Sequence, residues 1–306
     1  MGDKTTSTPK QQRDTHATQH HLSSYVAKTL YGLEDVLADE LEALGASDIE
    51  IGRRMVRFRG DKRMLYLTNY RLRTALRILK PIYDFNCESI EDLYETLRQF
   101  AWDRYLRCDQ TFLIDPVVFS DRFSNSRYVS YRVKDAIADY FVANTPDGKR
   151  PSVRMDTPDV RFNIHIAQKH VTLSLDSSGD SLHKRGYKVK QTSAPLSEEL
   201  AAGILLKAGW QGQCDLIDPM CGSGTFAIEA ALIARGVAAG AWRTKYAFEE
   251  WADFDGNLWR EVQEDPNYET PFEHHIYASD IANDAYTVTN ANVQHMGLGH
   301  DITVEH

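Results

Sequence analysis

Residues 216 to 234 read LIDPMCGSGTFAIEAALIA. A short apolar run ends at Asp218 and Pro219, Gly222 and Gly224 follow, and Thr225 opens a stretch whose apolar residues recur at helical spacing. This is the pattern of a strand, a tight turn and a helix start. The two glycines let the backbone bend and approach a ligand where a Cβ would clash, and free N–H groups collect near Thr225. Asp218 sets the sign of that ligand, because a carboxylate repels a pyrophosphate and attracts an ammonium or sulfonium group. Gly222, Gly224 and Ala227 also satisfy the loose glycine pattern of dinucleotide sites, which keeps a dinucleotide-dependent dehydrogenase as a rival. Further on, HIYASDIAND forms a second strand candidate ending in Asp280. An acid there either caps the next helix or grips ribose hydroxyls; beside the glycine loop, ribose is the favoured reading.

A second group of residues points to a polyanion. Net charge is −9, but it is unevenly placed: residues 1–100 hold 15 basic and 15 acidic groups, residues 101–190 hold 15 and 11, and residues 191–306 hold 5 and 18. In the basic middle, Arg122, Arg127, Arg132, Lys134, Lys149, Arg150, Arg154 and Arg161 fall near Phe123, Tyr128 and Tyr131. Cations neutralise phosphates and aromatic rings stack on bases, so the mixture fits structured RNA. Cys87, Cys108, Cys214 and Cys221 have no zinc spacing and read as buried reduced thiols; no metal site is expected.

The elements that must position these groups are mixed α+β followed by α/β. Residues 1–22, with His16, His20 and His21, are polar and read as a disordered tail. Residues 23–86 read as strand, helix, strand, helix, strand: YVAKTL, then GLEDVLADELEALG, then one strand in IEIGRRMVRFRG, then a basic amphipathic helix in DKRMLYLTNYRLRTALRILK with Leu65, Leu72, Leu76 and Leu79 on its apolar side. Residues 87 to about 185 hold helices at SIEDLYETLRQFAWDRYL and SRYVSYRVKDAIADYFVAN, a strand at TFLIDPVVF, and two strands joined by a hairpin turn at Lys169 and His170. A basic linker then enters the helix around SEELAAGILLKAG. No apolar run approaches a membrane span and no secretory leader is visible, so a cytoplasmic protein without membrane partners is expected; the oligomeric state is not legible.

DPMCGSGTFAIEAALIA resembles motif I of class I S-adenosylmethionine-dependent methyltransferases, specifically the RNA methyltransferases that carry a THUMP domain, and among these the large-subunit ribosomal RNA guanine-N2 group. YGLEDVLADELEALG with VRFRGD is similar to that group's ferredoxin-like domain (23–86), and residues 87–182 are similar to THUMP. AAGAWRTKYAFEEWADFDGNLW resembles an insertion of the same group, and 183–306 resembles the first half of its Rossmann-like methyltransferase sheet. The resemblance implies that Asp218, Pro219, Gly222, Gly224 and Thr225 hold the methionine part of S-adenosylmethionine, Asp280 its ribose and Ile281 its adenine, with Thr192 to Pro195 as the near wall. It implies guanine N2 of 23S-type rRNA as the target, with Arg122, Arg127, Arg132, Lys134, Arg150 and Arg154 gripping RNA. A transfer-RNA guanine-N2 enzyme, an adenine-N6 enzyme and a non-catalytic RNA-binding relative are the alternatives. The family's Asn/Asp-Pro-Pro-aromatic catalytic signature does not occur in the 306 residues. The expectation is therefore a piece of a longer enzyme, inactive alone, with its catalytic residues elsewhere.

Overall fold

A computed structural model describes residues 22–306 with the exception of Ser124. Apart from Leu22, the expected polar tail and its three histidines lie outside the described residues. The chain begins β1 (Ser23–Thr29), α1 (Glu34–Ala43), β2 (Ser47–Gly52), β3 (Met55–Gly60), α2 (Lys62–Arg71), β4 (Ala75–Asn86). Two expectations are corrected here. IEIGRRMVRFRG is not one strand but the antiparallel hairpin β2–β3, turned at Arg53 and Arg54. Arg54 adopts a left-handed φ of 57°, without the Asn-Gly or Asp-Gly pair that usually announces such a turn. The basic helix stops at Arg71; Leu72 is extended, and Leu76 and Leu79 belong to β4. A strand hydrogen-bonded on both sides need not alternate, and the interval between these leucines imitates a helix face.

Next come α3 (Ile90–Arg98), β5 (Thr111–Phe119), α4 (Ser126–Asn144), β6 (Ser152–Val153), β7 (Val160–Ala167) and β8 (His170–Asp176). Ser89 and Asn125 cap α3 and α4 by accepting the N–H groups of Asp92 and Tyr128. All eight strands form one sheet in the order β2-β3-β1-β4-β8-β7-β5-β6. β4 is the seam: Ala75–Leu79 pairs with β1, and Leu79–Asn86 pairs with β8. Pro81, unable to donate to a ladder, sits where the β4–β8 register shifts, which is how an interior strand accommodates it.

The acidic third adds α5 (Glu198–Lys207), β9 (Leu216–Asp218), α6 (Thr225–Ala234), α7 (Gly256–Gln263), β10 (Ile276–Ser279), α8 (Asn283–His295) and β11 (Ile302–Glu305). Its strands form a separate parallel sheet, β11-β10-β9, joined through α6 and α8, one half of a doubly wound arrangement. The segment between α6 and β10 is divided between two cores: Val237, Trp242 and Phe272 pack against that of this sheet. Tyr246, Phe248, Trp251, Trp259 and Val262 enter the core of the eight-stranded unit. Phe248 stacks on Tyr66 at 4.5 Å between centroids, Trp259 meets Tyr70 edge-on at 5.5 Å, and Arg71 lies 3.7 Å over Tyr268. The segment is thus a strap binding the two units together.

Cys87 and Cys221 are buried and Cys108 is partly so, but Cys214 is exposed in the turn before β9, against expectation. Among the described residues no helix is long and apolar enough to cross a membrane.

Candidate functional site

The short strand β9 ends at Asp218, and the chain reaches α6 through a loop that polar contacts hold from behind. Cys221 N–H donates to Ser279 O at 2.9 Å, tying the loop to the end of β10. Gly222 (φ 57°) and Gly224 (φ 78°) are both left-handed, the conformation for which glycine carries no Cβ penalty. Their surroundings differ. A Cβ on Gly224 would lie 2.8 Å from Thr289 Cγ2, so this glycine allows α8 to pack closely; a Cβ on Gly222 would meet nothing within 4 Å, so that face is open.

Asp218 and Asp280 stand at the carboxyl ends of adjacent strands and are in opposite electrostatic states. Asp218 Oδ1 accepts a 3.3 Å hydrogen bond from Met220 N–H, while its buried Oδ2 has no partner among the described residues. Burial, and secondarily Asp280 nearby, push the Asp218 carboxyl above its usual range. Asp280 accepts N–H bonds from Ala282 (2.9 Å) and Gly222 (3.0 Å), which hold its carboxyl below the usual range. It therefore braces the glycine loop and the turn before α8 and does not cap that helix, whose N-cap is Ala282. Ile281 beside it is 95% exposed. Thr225, buried as the first residue of α6, donates to Leu196 O at 3.4 Å and brings the 192–197 segment beside the glycine loop. Thr192 in that segment is half-buried and Pro195 is exposed; Pro219 is exposed on the other flank.

Two helix-interior residues behind the loop escaped the sequence reading. Thr289 Oγ1 donates to Gly222 O at 2.9 Å. Asn292, fully buried, accepts from Val189 N–H and Lys190 N–H and donates to Lys190 O and Ser223 O, so one amide fixes both the linker and the loop. The available signal was a pair of polar residues three apart on one face of a helix, where Asn has little reason to sit unless its amide is used. A third unread element is the fully buried Glu229 of α6, which accepts from Tyr187 OH at 3.0 Å and faces Arg185 at 3.5 Å.

The basic residues are scattered over the middle unit. Arg122 pairs with Glu88; Arg132 lies 4.2 Å over Tyr94 and 3.9 Å from Asp135, and Lys134 is 3.1 Å from the same carboxylate. Arg127, Arg150 and Arg154 are exposed and have no ion-pair partner within 4 Å among the described residues. Tyr128 and Tyr131 are half exposed on α4, but Phe123 is buried in the core and is not available to stack on a base.

Parallel strands crossed by α6 and α8, with a glycine turn and acids at two adjacent strand ends, define a Rossmann-like fold of the class I methyltransferase type joined to a fused α+β unit. The chain carries three family-defined domains: the RlmL ferredoxin-like domain at residues 24–79, the THUMP domain at 87–176 and the RMKL-like methyltransferase domain at 185–306. It is 41% identical over 252 residues to the ribosomal RNA large subunit methyltransferase K/L of Cellvibrio japonicus, covering 81% of this chain and 33% of that protein. With the protein of the same description from a Marinomonas species it shares 40% identity over 236 residues, 76% of this chain and 32% of the relative. The chain thus spans about a third of the length of these curated relatives. Among solved structures, a methyltransferase candidate complexed with SAH superposes with a TM-score of 0.82 at 28% identity, over 93% of this chain and 75% of that one.

Proposed function

We propose that this chain is the RNA-gripping and methyl-donor-binding part of an enzyme that methylates guanine N2 in large-subunit ribosomal RNA. The cofactor is S-adenosylmethionine, which supplies an electrophilic methyl group on a sulfonium. The observation carrying the residue assignment is the unpartnered Asp218 Oδ2, a buried carboxylate oxygen beside two left-handed glycines. A cationic ligand provides the partner this oxygen lacks, whereas a pyrophosphate would add a second anion.

In this reading Asp218 receives the ammonium of the donor, the open face of Gly222 admits its backbone-like portion, and Asp280 accepts ribose hydroxyls with the lone pairs left over from bracing the loop. Ile281 offers its exposed side chain to adenine, and Pro219, Thr225, Thr192 and Pro195 flank the cradle. Arg122, Arg127, Arg132, Lys134, Arg150 and Arg154 hold RNA phosphates. The guanine amine is a weak nucleophile, so rate enhancement comes from placing it against the methyl carbon, after the base has left its stack. The 306 residues lack the Asn/Asp-Pro-Pro-aromatic signature, so the purified chain is expected to bind the donor without transferring its methyl to RNA.

Calorimetry with S-adenosylmethionine tests the assignment. Asp218→Asn should weaken binding at least tenfold, about 1.4 kcal/mol, with the folded state intact by circular dichroism. Unchanged affinity sinks the role of Asp218.

A further inference from the structure

A cavity of about 370 Å³ lies away from the glycine loop, where three segments meet. One wall is β7 with the loop before it, contributing Arg161; the second is the exit from β8, contributing Lys184; the third is the strap, contributing Trp242, Arg243, Lys245 and Tyr246. It therefore sits at the junction of the THUMP and methyltransferase matches.

Its walls are preformed. Arg243 donates to four carbonyls of the β8 exit, those of Ser178, Asp180, Ser181 and Lys184, at 2.9 to 3.3 Å. Gly186 (φ 93°) passes so close to the strap that a Cβ would lie 2.5 Å from Trp242 O. The lining is also cationic: Arg161, Lys184, Arg243 and Lys245 outnumber Asp156 and Asp180. Arg161 pairs with Asp115, Lys184 with Asp180 and Lys245 with Glu250, whereas Arg243 has no carboxylate within 4 Å among the described residues. The two lysine pairs are mostly exposed, so exchanging a carboxylate for a phosphate there costs little. Arg161 Nε and Arg243 Nε are buried N–H groups without an acceptor among the described residues. Arg154, exposed and without an ion pair, continues the positive surface outward; it and Lys245 both act on Asp159.

We infer that this cleft holds one nucleotide of single-stranded RNA, its phosphate among Arg161, Lys184 and Lys245. The volume lies within the range of small-ligand sites, and the cations neutralise the backbone phosphate. The inference rests on the RNA reading above and adds a strand-holding site between the module that grips RNA and the module that binds the methyl donor.

The test is fluorescence anisotropy of the 306-residue chain with a short labelled single-stranded oligoribonucleotide and with a labelled RNA hairpin. Lys184→Gln/Lys245→Gln changes two half-exposed side chains and should leave the circular dichroism spectrum unchanged. It should weaken single-strand binding about tenfold and reduce the log–log salt slope by about 0.7, the share of one phosphate. Photocrosslinking with 4-thiouridine in the oligonucleotide should attach it within residues 242–247. Wild-type affinity in the double variant, or a crosslink elsewhere, overturns the cleft site; the RNA reading then stands if Arg122→Gln/Arg127→Gln weakens hairpin binding. Failure of the wild-type chain to bind either RNA overturns both.

Discussion

The strap and the glycine loop flank the same helix, α6, and are held by opposite means. The strap is apolar and closed: Tyr246, Phe248 and Trp259 pack within 5.3 Å of one another, and the cluster extends to Tyr66 and Tyr70. The loop is polar and open on one side, fixed by Thr289, Asn292 and Asp280, while Asp218 Oδ2 accepts no hydrogen bond among the described residues. Burial makes a scaffold because each buried ring stabilises the folded state. A binding site needs the reverse, interacting capacity left unfilled until the ligand arrives.

The comparison breaks most sharply at Trp259. Trp259→Ala removes a buried ring that meets four aromatic neighbours edge-on and should cost about 3–5 kcal/mol in denaturant unfolding. A loss below 1 kcal/mol would mean the strap is laid on the sheet and not built into it. Next is Asn292→Ala, which strands two N–H groups and two carbonyls; about 1–3 kcal/mol of stability should go. Donor affinity should fall with it, because the same amide holds the loop, and weakened folding with unchanged donor binding would separate the two roles.

Asp218 is partly buried, and its charge responds to pH. Its folded-state pKa lies above its unfolded value, so the cost of keeping it charged is absent below the ordinary carboxylate range and fully present above the raised value. Asp280 is shifted the other way and stays charged. As pH falls through the raised value, S-adenosylmethionine binding should weaken while this group's contribution to stability improves. Asp218→Asn should abolish both trends, and calorimetry alongside thermal melts across pH reads them together. The smallest effect belongs to Arg154→Gln, which should lower the RNA salt slope by about 0.7 and leave stability and donor binding alone.

These contrasts also explain what the sequence disclosed. The glycine loop was legible because its constraints are local: an acid, two glycines and a helix start within eight residues. Helices α1, α4 and α6 followed from periodicity, and the turn at Gln168 and Lys169 lies within a residue of the expected place. The strap's allegiance was not legible, because an aromatic run says that it will be buried and nothing about which of two cores receives it. For the same reason Phe123, grouped with the RNA-facing rings by its neighbours in sequence, turned out to be core. Asn292 depends on partners about 70 and 100 residues away, a distance no local pattern spans.

The seam at β4 has a mechanical consequence. Because one strand gives its first half to β1 and its second half to β8, no hinge divides the first unit from the second, and the two form a single plate. Amide protons on β1 and β8 should exchange through the same global opening. A displacement of α4 would then be felt, through the strap, at the glycine loop.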